Sequence, residues 1–180
     1  MSDTILPDYA AVSPRVHSSA FVGIGSVVIG DVTIGERASI WFNCVLRGDV
    51  QRIKIGQRTN IQDGTVVHCT TGGRPTLIGD DVSVGHGAIL HSCTIEDTGF
   101  VGFGARVLDG ATIQRGGMLA AGAVLTPGKT IGSGELWAGN PARLLRILDG
   151  IEADALAAVA DRYVALALRY LNDEFNLIKR

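Results

Sequence analysis

The feature that most constrains this chain is a beat of apolar residues every six positions. It runs Val16, Val22, Val28, Ile34, Ile40, Leu46; then Ile55, Ile61, Val67; then Ile78, Val84, Leu90; then Ile95, Val101, Val107, Ile113, Leu119, Leu125, Ile131 and Trp137. Glycine often follows the aliphatic position, as at Val22-Gly23, Ile34-Gly35, Ile55-Gly56, Val84-Gly85 and Val101-Gly102. A helical period of 3.6 residues cannot generate this spacing over such a length. A six-residue unit instead suits one short strand and a tight turn, and three units close an eighteen-residue coil of triangular cross-section. The reading is mainly β: a left-handed parallel β-helix over residues 1–145, of between six and seven coils. Left-handed crossovers between parallel strands break a strong topological rule, and here the repeat overrides it.

The composition agrees. Glycine accounts for 24 of 180 residues, nearly twice the usual share of roughly 7%, and corners of such a coil need residues that accept positive φ or close backbone approach. The phase breaks between Leu46 and Ile55, Val67 and Ile78, and Leu90 and Ile95 mark loops or bulges leaving the coil. After Asn140-Pro141 the beat stops, and Leu156, Val159, Tyr163, Leu166 and Tyr170 take up helical spacing. That predicts an amphipathic helix within 146–180, capped by Asp149 and packed on the flank of the coil.

Sixteen basic and eighteen acidic residues leave a net charge of −2 without a basic patch, which argues against nucleic acid or an anionic membrane as partner. No apolar run is long enough to span a bilayer. The start lacks the layout of a signal peptide, and the three cysteines, Cys44, Cys69 and Cys93, have no framework spacing; a cytoplasmic protein with reduced, buried thiols is expected. Regular faces and open ends invite self-association, and a homotrimer is the expected state.

Three of the four histidines, His68, His86 and His91, fall within one short stretch, whereas His17 stands apart as a surface residue. His68 and His86 are eighteen residues apart, one coil, so they are expected to stack, with His91 near the next corner or face. In a trimer, two ligands from one chain and one from its neighbour could close a site of three imidazoles with an open position, the pattern of a catalytic zinc. The same donors accept Fe2+ or Co2+. Cys69 should point into the coil, and Cys93, two after His91, could share its face, although a buried small hydrophobe suits all three cysteines better.

At these residues the chain resembles the γ-class carbonic anhydrases and their close bacterial relatives. The segments that carry the likeness are IGDVTIGERASIW (29–41), VLRGD (45–49), IKIGQRTNIQDGTVVH (53–68), IGDDVSVGHGAILHSCTI (78–95) and GNPAR (139–143). The resemblance implies a zinc or iron ion at the trimer interface, with His68 and His91 from one subunit and His86 from the next. It implies a carbonate dehydratase in which metal-bound hydroxide attacks CO2 to give bicarbonate. Gln62 matches the residue that orients the hydroxide, Asn60 the residue behind it, and Tyr163 is expected to line the cleft. Arg47, Asp49 and Asp63 match a cluster joining carboxylates within and across subunits, read here as an assembly device. Val50 stands where the family prototype has a glutamate, and the segment between His68 and His86 lacks its longer acidic loop, so weak turnover is expected. The fold also hosts other chemistry. A hexapeptide acyltransferase, an acyl-CoA thioesterase and a metal-binding scaffold without turnover are the alternatives.

Overall fold

The computed structural model describes Tyr9 and residues 11–175. The chain winds into a left-handed parallel β-helix of about seven turns, closed by one C-terminal helix. The first face is built from Phe21–Val22, Ser39–Ile40, Asn60–Ile61, Ser83–Val84, Phe100–Val101, Met118–Leu119 and Glu135–Gly139. The second face carries Val66–His68, Ile89–His91, Arg106–Val107 and Val124–Leu125. Thr76–Ile78, Thr94–Ile95, Thr112–Ile113 and Thr130–Ile131 belong to the third. Two longer strands, Val27–Ile34 and Val45–Ile55, bend around the corner between the second and third faces and pair with both.

The six-residue beat forms the core because alternation along each short strand sends its aliphatic residue inward. Ile40, Ile61, Val84, Val101 and Leu119 stack behind the first face, Leu46, Val67, Leu90, Val107 and Leu125 behind the second, and Ile34, Ile55, Ile78, Ile95, Ile113 and Ile131 behind the third, all at most 2% exposed. Each such side chain contributes about 1.5–3 kcal/mol by leaving water. The rule weakens at the first coil, where Val16 and Val22 are exposed. The glycines serve two purposes, and Gly30 serves both. Those that follow an aliphatic residue permit close approach of neighbouring coils: a Cβ on Gly102 would strike the backbone of Ala120 and Ala121. Others supply positive φ at the corner between the first and second faces, where Gly25, Asn43, Gly64, Gly87, Gly104 and Gly122 form a column.

The first phase break is a bulge rather than a loop. Gly30 pairs with Gly48, but Val32 pairs with Ile53, so the extra residues around Asp49–Arg52 bow out of a continuous strand. The third break turns a corner at Ser92, whose φ is +45°. That turn sends Cys93 into the core near Cys69, so it does not share the outward face of His91.

Beyond Asn140-Pro141 the chain reverses, and Ala142–Ile147 pairs antiparallel with Glu135–Gly139. The helix Gly150–Leu171 then packs across the first face, where Phe21, Trp41 and Ala167 are buried against Phe42, Tyr163, Leu166 and Tyr170. Among the described residues no helix is long and apolar enough to cross a membrane.

Asp149 caps the helix through a reciprocal box with Glu152, and Arg146 reaches both Glu152 oxygens at 2.5 Å. Hydrogen bonds from Arg146 first, and then from the Asp149 amide, hold the Glu152 carboxyl at about 2. Its pKa is depressed, so the stability it lends is present above the ordinary 4.5 and is lost as pH falls toward 2. Thermal melts across the acid range will show a steeper decline in the wild type than in Glu152→Gln. Asp149→Ala will cost about 1 kcal/mol at neutral pH.

Candidate metal centre

The second face ends in an opposed pair of imidazoles. His68 and His91 are direct ladder partners, with His68 Nδ1 3.2 Å from His91 Nε2. The expected stacking of His68 on His86 is therefore corrected. The excursion at residues 70–75 adds five residues to that coil, so the residue above His68 is 23 positions on, not eighteen. His86 sits instead at the corner between the first and second faces, directly above Asp63, whose carbonyl accepts from the Gly87 amide at 2.9 Å. Its ring packs on Phe103 at 5.1 Å.

Each histidine is backed by its own carboxylate. Asp49 Oδ1 lies 3.1 Å from His68 Nε2, Asp109 Oδ1 2.6 Å from His91 Nδ1, and Asp63 Oδ2 2.7 Å from His86 Nδ1. Burial raises the Asp49 carboxyl, but hydrogen bonds from Arg47 and His68 outweigh it and leave it below the usual carboxylate range. A hydrogen bond from Thr70 and a weaker one from His91 do the same for Asp109 against its burial. Ionised carboxylates only accept, so His68 Nε2 and His91 Nδ1 must donate to them. Burial pushes His68 below its ordinary value despite Asp49.

With the outer nitrogens turned to their carboxylates, the inner nitrogens of the two rings, His68 Nδ1 and His91 Nε2, face each other across 3.2 Å. Two imidazole nitrogens turned to the same space can both offer lone pairs to a cation lying between them. Two nitrogens on one tetrahedral zinc stand about 3.3 Å apart, given Zn–N bonds near 2.0–2.1 Å. The donor set, its spacing and its carboxylate backing thus fit a divalent cation. One chain does not complete the set: among the described residues no three histidine, cysteine or acidic side chains are arranged to hold a metal ion. His86 is at the corner before the strand that His91 ends, on the opposite edge of the face.

On the first face a row of amides lies beneath the helix. Asn60 and Gln62 are at most 2% exposed. The Asn60 amide nitrogen donates to Ser83 Oγ at 2.8 Å and faces the Val82 carbonyl at 3.4 Å. A carbonyl can only accept, which turns Asn60 Oδ1 toward the Gln62 amide nitrogen, 3.0 Å away. Gln62 Oε1 is left buried without a donor. This orphaned acceptor directly precedes Asp63, the partner of His86. Tyr163 packs edge-on to Trp41 at 5.3 Å, and burial, aided by the charge of Asp63, raises its phenol.

Arg47 Nη1 binds Asp49 Oδ2 at 2.6 Å, which joins it to His68. Asp63 is at another corner, so within one subunit the expected Arg47, Asp49 and Asp63 cluster is two separate supports for two histidines. His17 is exposed and meets Ser19 Oγ at 2.9 Å. Sequence reasoning missed Asp109 and Thr70. The only signal was that Asp109 lies eighteen residues, one regular coil, beyond His91.

Relatives place this geometry in a family. A model described as bacterial transferase hexapeptide (six repeats) matches residues 13–48. A mitochondrial γ carbonic anhydrase 2 of Arabidopsis thaliana is 48% identical over 160 residues, 86% of this chain. A probable carbonic anhydrase of Methanocaldococcus jannaschii is 51% identical over 84% of this chain and 95% of its own length. The chain belongs to the γ-class carbonic anhydrase family. It spans 58% of the length of the Arabidopsis relative. The crystal structure of a hexapeptide transferase family protein from Anaplasma phagocytophilum superposes with a TM-score of 0.87 at 50% identity, over 91% of this chain and 96% of that one. Within this γ-class chain, His68 and His91 are the pair that the fold itself brings together.

Proposed function

We propose that this chain is a metal-dependent CO2 hydratase acting as a homotrimer, its metal held by His68 and His91 of one subunit and His86 of the next. The observation that carries this reading is the opposed, carboxylate-backed pair at 3.2 Å, with a third carboxylate-backed histidine on the other edge of the same face. Zinc suits three imidazoles, and Fe2+ or Co2+ can occupy the same donors. A divalent cation there supplies hydroxide at neutral pH by lowering the pKa of water to about 7.

The chain's residues do the rest. Asp49, Asp63 and Asp109 hold the rings in the tautomers that leave the inner nitrogens free. Gln62 Oε1, buried without a donor, would accept a hydrogen bond from water held in the site and so orient it toward CO2. Asn60, held by Val82 and Ser83, keeps the Gln62 amide from flipping. Tyr163 lines the cleft from the helix. Proton export is the weak step: Val50 packs against the core and has no ionisable group to pass a proton outward.

Metal analysis of protein purified without oxygen, followed by stopped-flow CO2 hydration, tests the proposal. Expected are near-stoichiometric metal, hydration abolished by a chelator and restored by zinc, and a rate that climbs with buffer concentration as buffer carries the proton. A metal-free trimer without affinity for zinc would refute it. Acyl transfer with one histidine as base is the second reading, favoured by the transferase description of the Anaplasma relative. It requires consumption of acyl-CoA that a chelator does not stop, and it leaves the opposed imidazole pair without a purpose.

A further inference from the structure

The geometry points to Asp109, clasped by Thr70, as a positioning residue that sets the orientation of His91 toward its metal. This rests on the reading of His68 and His91 as ligands and adds residues that neither the repeat nor the family motifs single out. Asp109 occupies the corner turn one coil beyond His91. Its corner is pinned from both sides, since the Gly110 amide donates to the Ser92 carbonyl at 2.7 Å and the Gly128 amide to the Asp109 carbonyl at 2.9 Å. Oδ1 accepts from His91 Nδ1 at 2.6 Å, while Oδ2 accepts from the Thr70 hydroxyl.

Thr70 opens the excursion that follows His68, and its own amide donates to Ser92 Oγ at 2.8 Å. The excursion is thereby fastened to the corner it overhangs. Both carboxylate oxygens are engaged, so the group cannot rotate away from the ring, and His91 cannot rotate without breaking its bond to a doubly held partner. The arrangement parallels the other ligand, where Arg47 holds Asp49 and Asp49 holds His68. Two ligands are thus backed by two independent clamps, one from the bulge and one from the excursion. The short segment between His68 and Ile78 acts as a strap on His91.

The test compares wild type with Asp109→Ala, Asp109→Asn and Thr70→Val. Zinc affinity is read by competition with a chromogenic chelator, alongside the melting temperature of the metal-free protein and its assembly by light scattering. Asp109→Ala should lower zinc affinity about 10–100-fold, with assembly and metal-free melting retained. Asp109→Asn keeps an acceptor for the imidazole proton and should recover part of the loss. Thr70→Val removes only the hydroxyl clamp and should lower affinity by less than Asp109→Ala. Equal affinity in wild type and Asp109→Ala, or no recovery by asparagine, overturns the assignment. If the alanine variant fails to assemble, unchanged affinity in Thr70→Val overturns it instead. Absence of zinc binding by the wild type would strike the proposed function itself, a result distinct from equal affinities in a wild type that binds.

Discussion

His86→Ala will reduce CO2 hydration to the uncatalysed rate and strip zinc from the assembled protein, although His86 is remote from His68 and His91 within one chain. The reason is that, in the proposed site, each subunit would contribute two ligands from one edge of the second face and the third from the opposite corner. His91→Ala will have the same effect from the other side. The decisive experiment co-expresses the two variants with different tags and isolates mixed trimers. A site is whole wherever a subunit with intact His86 meets one with intact His68 and His91. In a closed cyclic trimer of two variants this occurs at one interface in every mixed species. Mixed trimers should therefore regain zinc and activity at one interface, whereas each variant alone stays inactive. Retention of zinc by His86→Ala, or mixed trimers without zinc, would show that the ligands do not come from two subunits.

Gly30→Ala will be the most damaging single-methyl change in the first half of the coil. Gly30 has φ of +79°, a conformation that costs a non-glycine residue about 1–2 kcal/mol. An added Cβ would also strike the carbonyl of Gly48 on the neighbouring coil. Backbone cannot move aside as a flexible side chain can, and overpacking of this kind costs about 1–3 kcal/mol more. A loss of about 2–5 kcal/mol corresponds to a fall in melting temperature on the order of 10 °C for a chain of this size. Gly48 lies between Arg47 and Asp49, so the clamp on His68 will shift as well and zinc affinity will fall with stability. Circular-dichroism melts at fixed protein concentration, with and without zinc, measure both effects. A melting temperature within about 2 °C of wild type would refute the argument from close approach.

These expectations differ in how far the sequence alone could reach them. The core was legible because its rule is local: in a six-residue unit one aliphatic side chain points inward whatever the rest of the chain does. Ile61, Leu90 and Ile113 are assigned to the interior by the beat alone. The exposed Val16 and Val22 escaped, since being first in a stack is a property of the whole coil. The helix was legible for the same local reason, down to Asp149 as its cap. Glycine's abundance was legible too, but its two tasks were not separable by composition. Close approach at Gly102 and positive φ at Gly104 look alike in a string of letters.

The candidate site could be read from the sequence as a set of residue types but not as an arrangement. His68, His86 and His91 stood out by type, and Gln62 and Asn60 by resemblance. Which histidine stacks on which depends on the sum of every insertion between them. The five extra residues of the excursion convert an apparent eighteen-residue coil into one of 23, exchanging His86 for His91 above His68. Asp109, Thr70 and the orphaned oxygen of Gln62 belong to the same class: their roles come from contacts between coils. The sequence by itself determined the solenoid and its core, because strand alternation and turn chemistry act over six residues. Only the tertiary structure decided the register of the coils, and with it which imidazoles face each other and which carboxylates hold them.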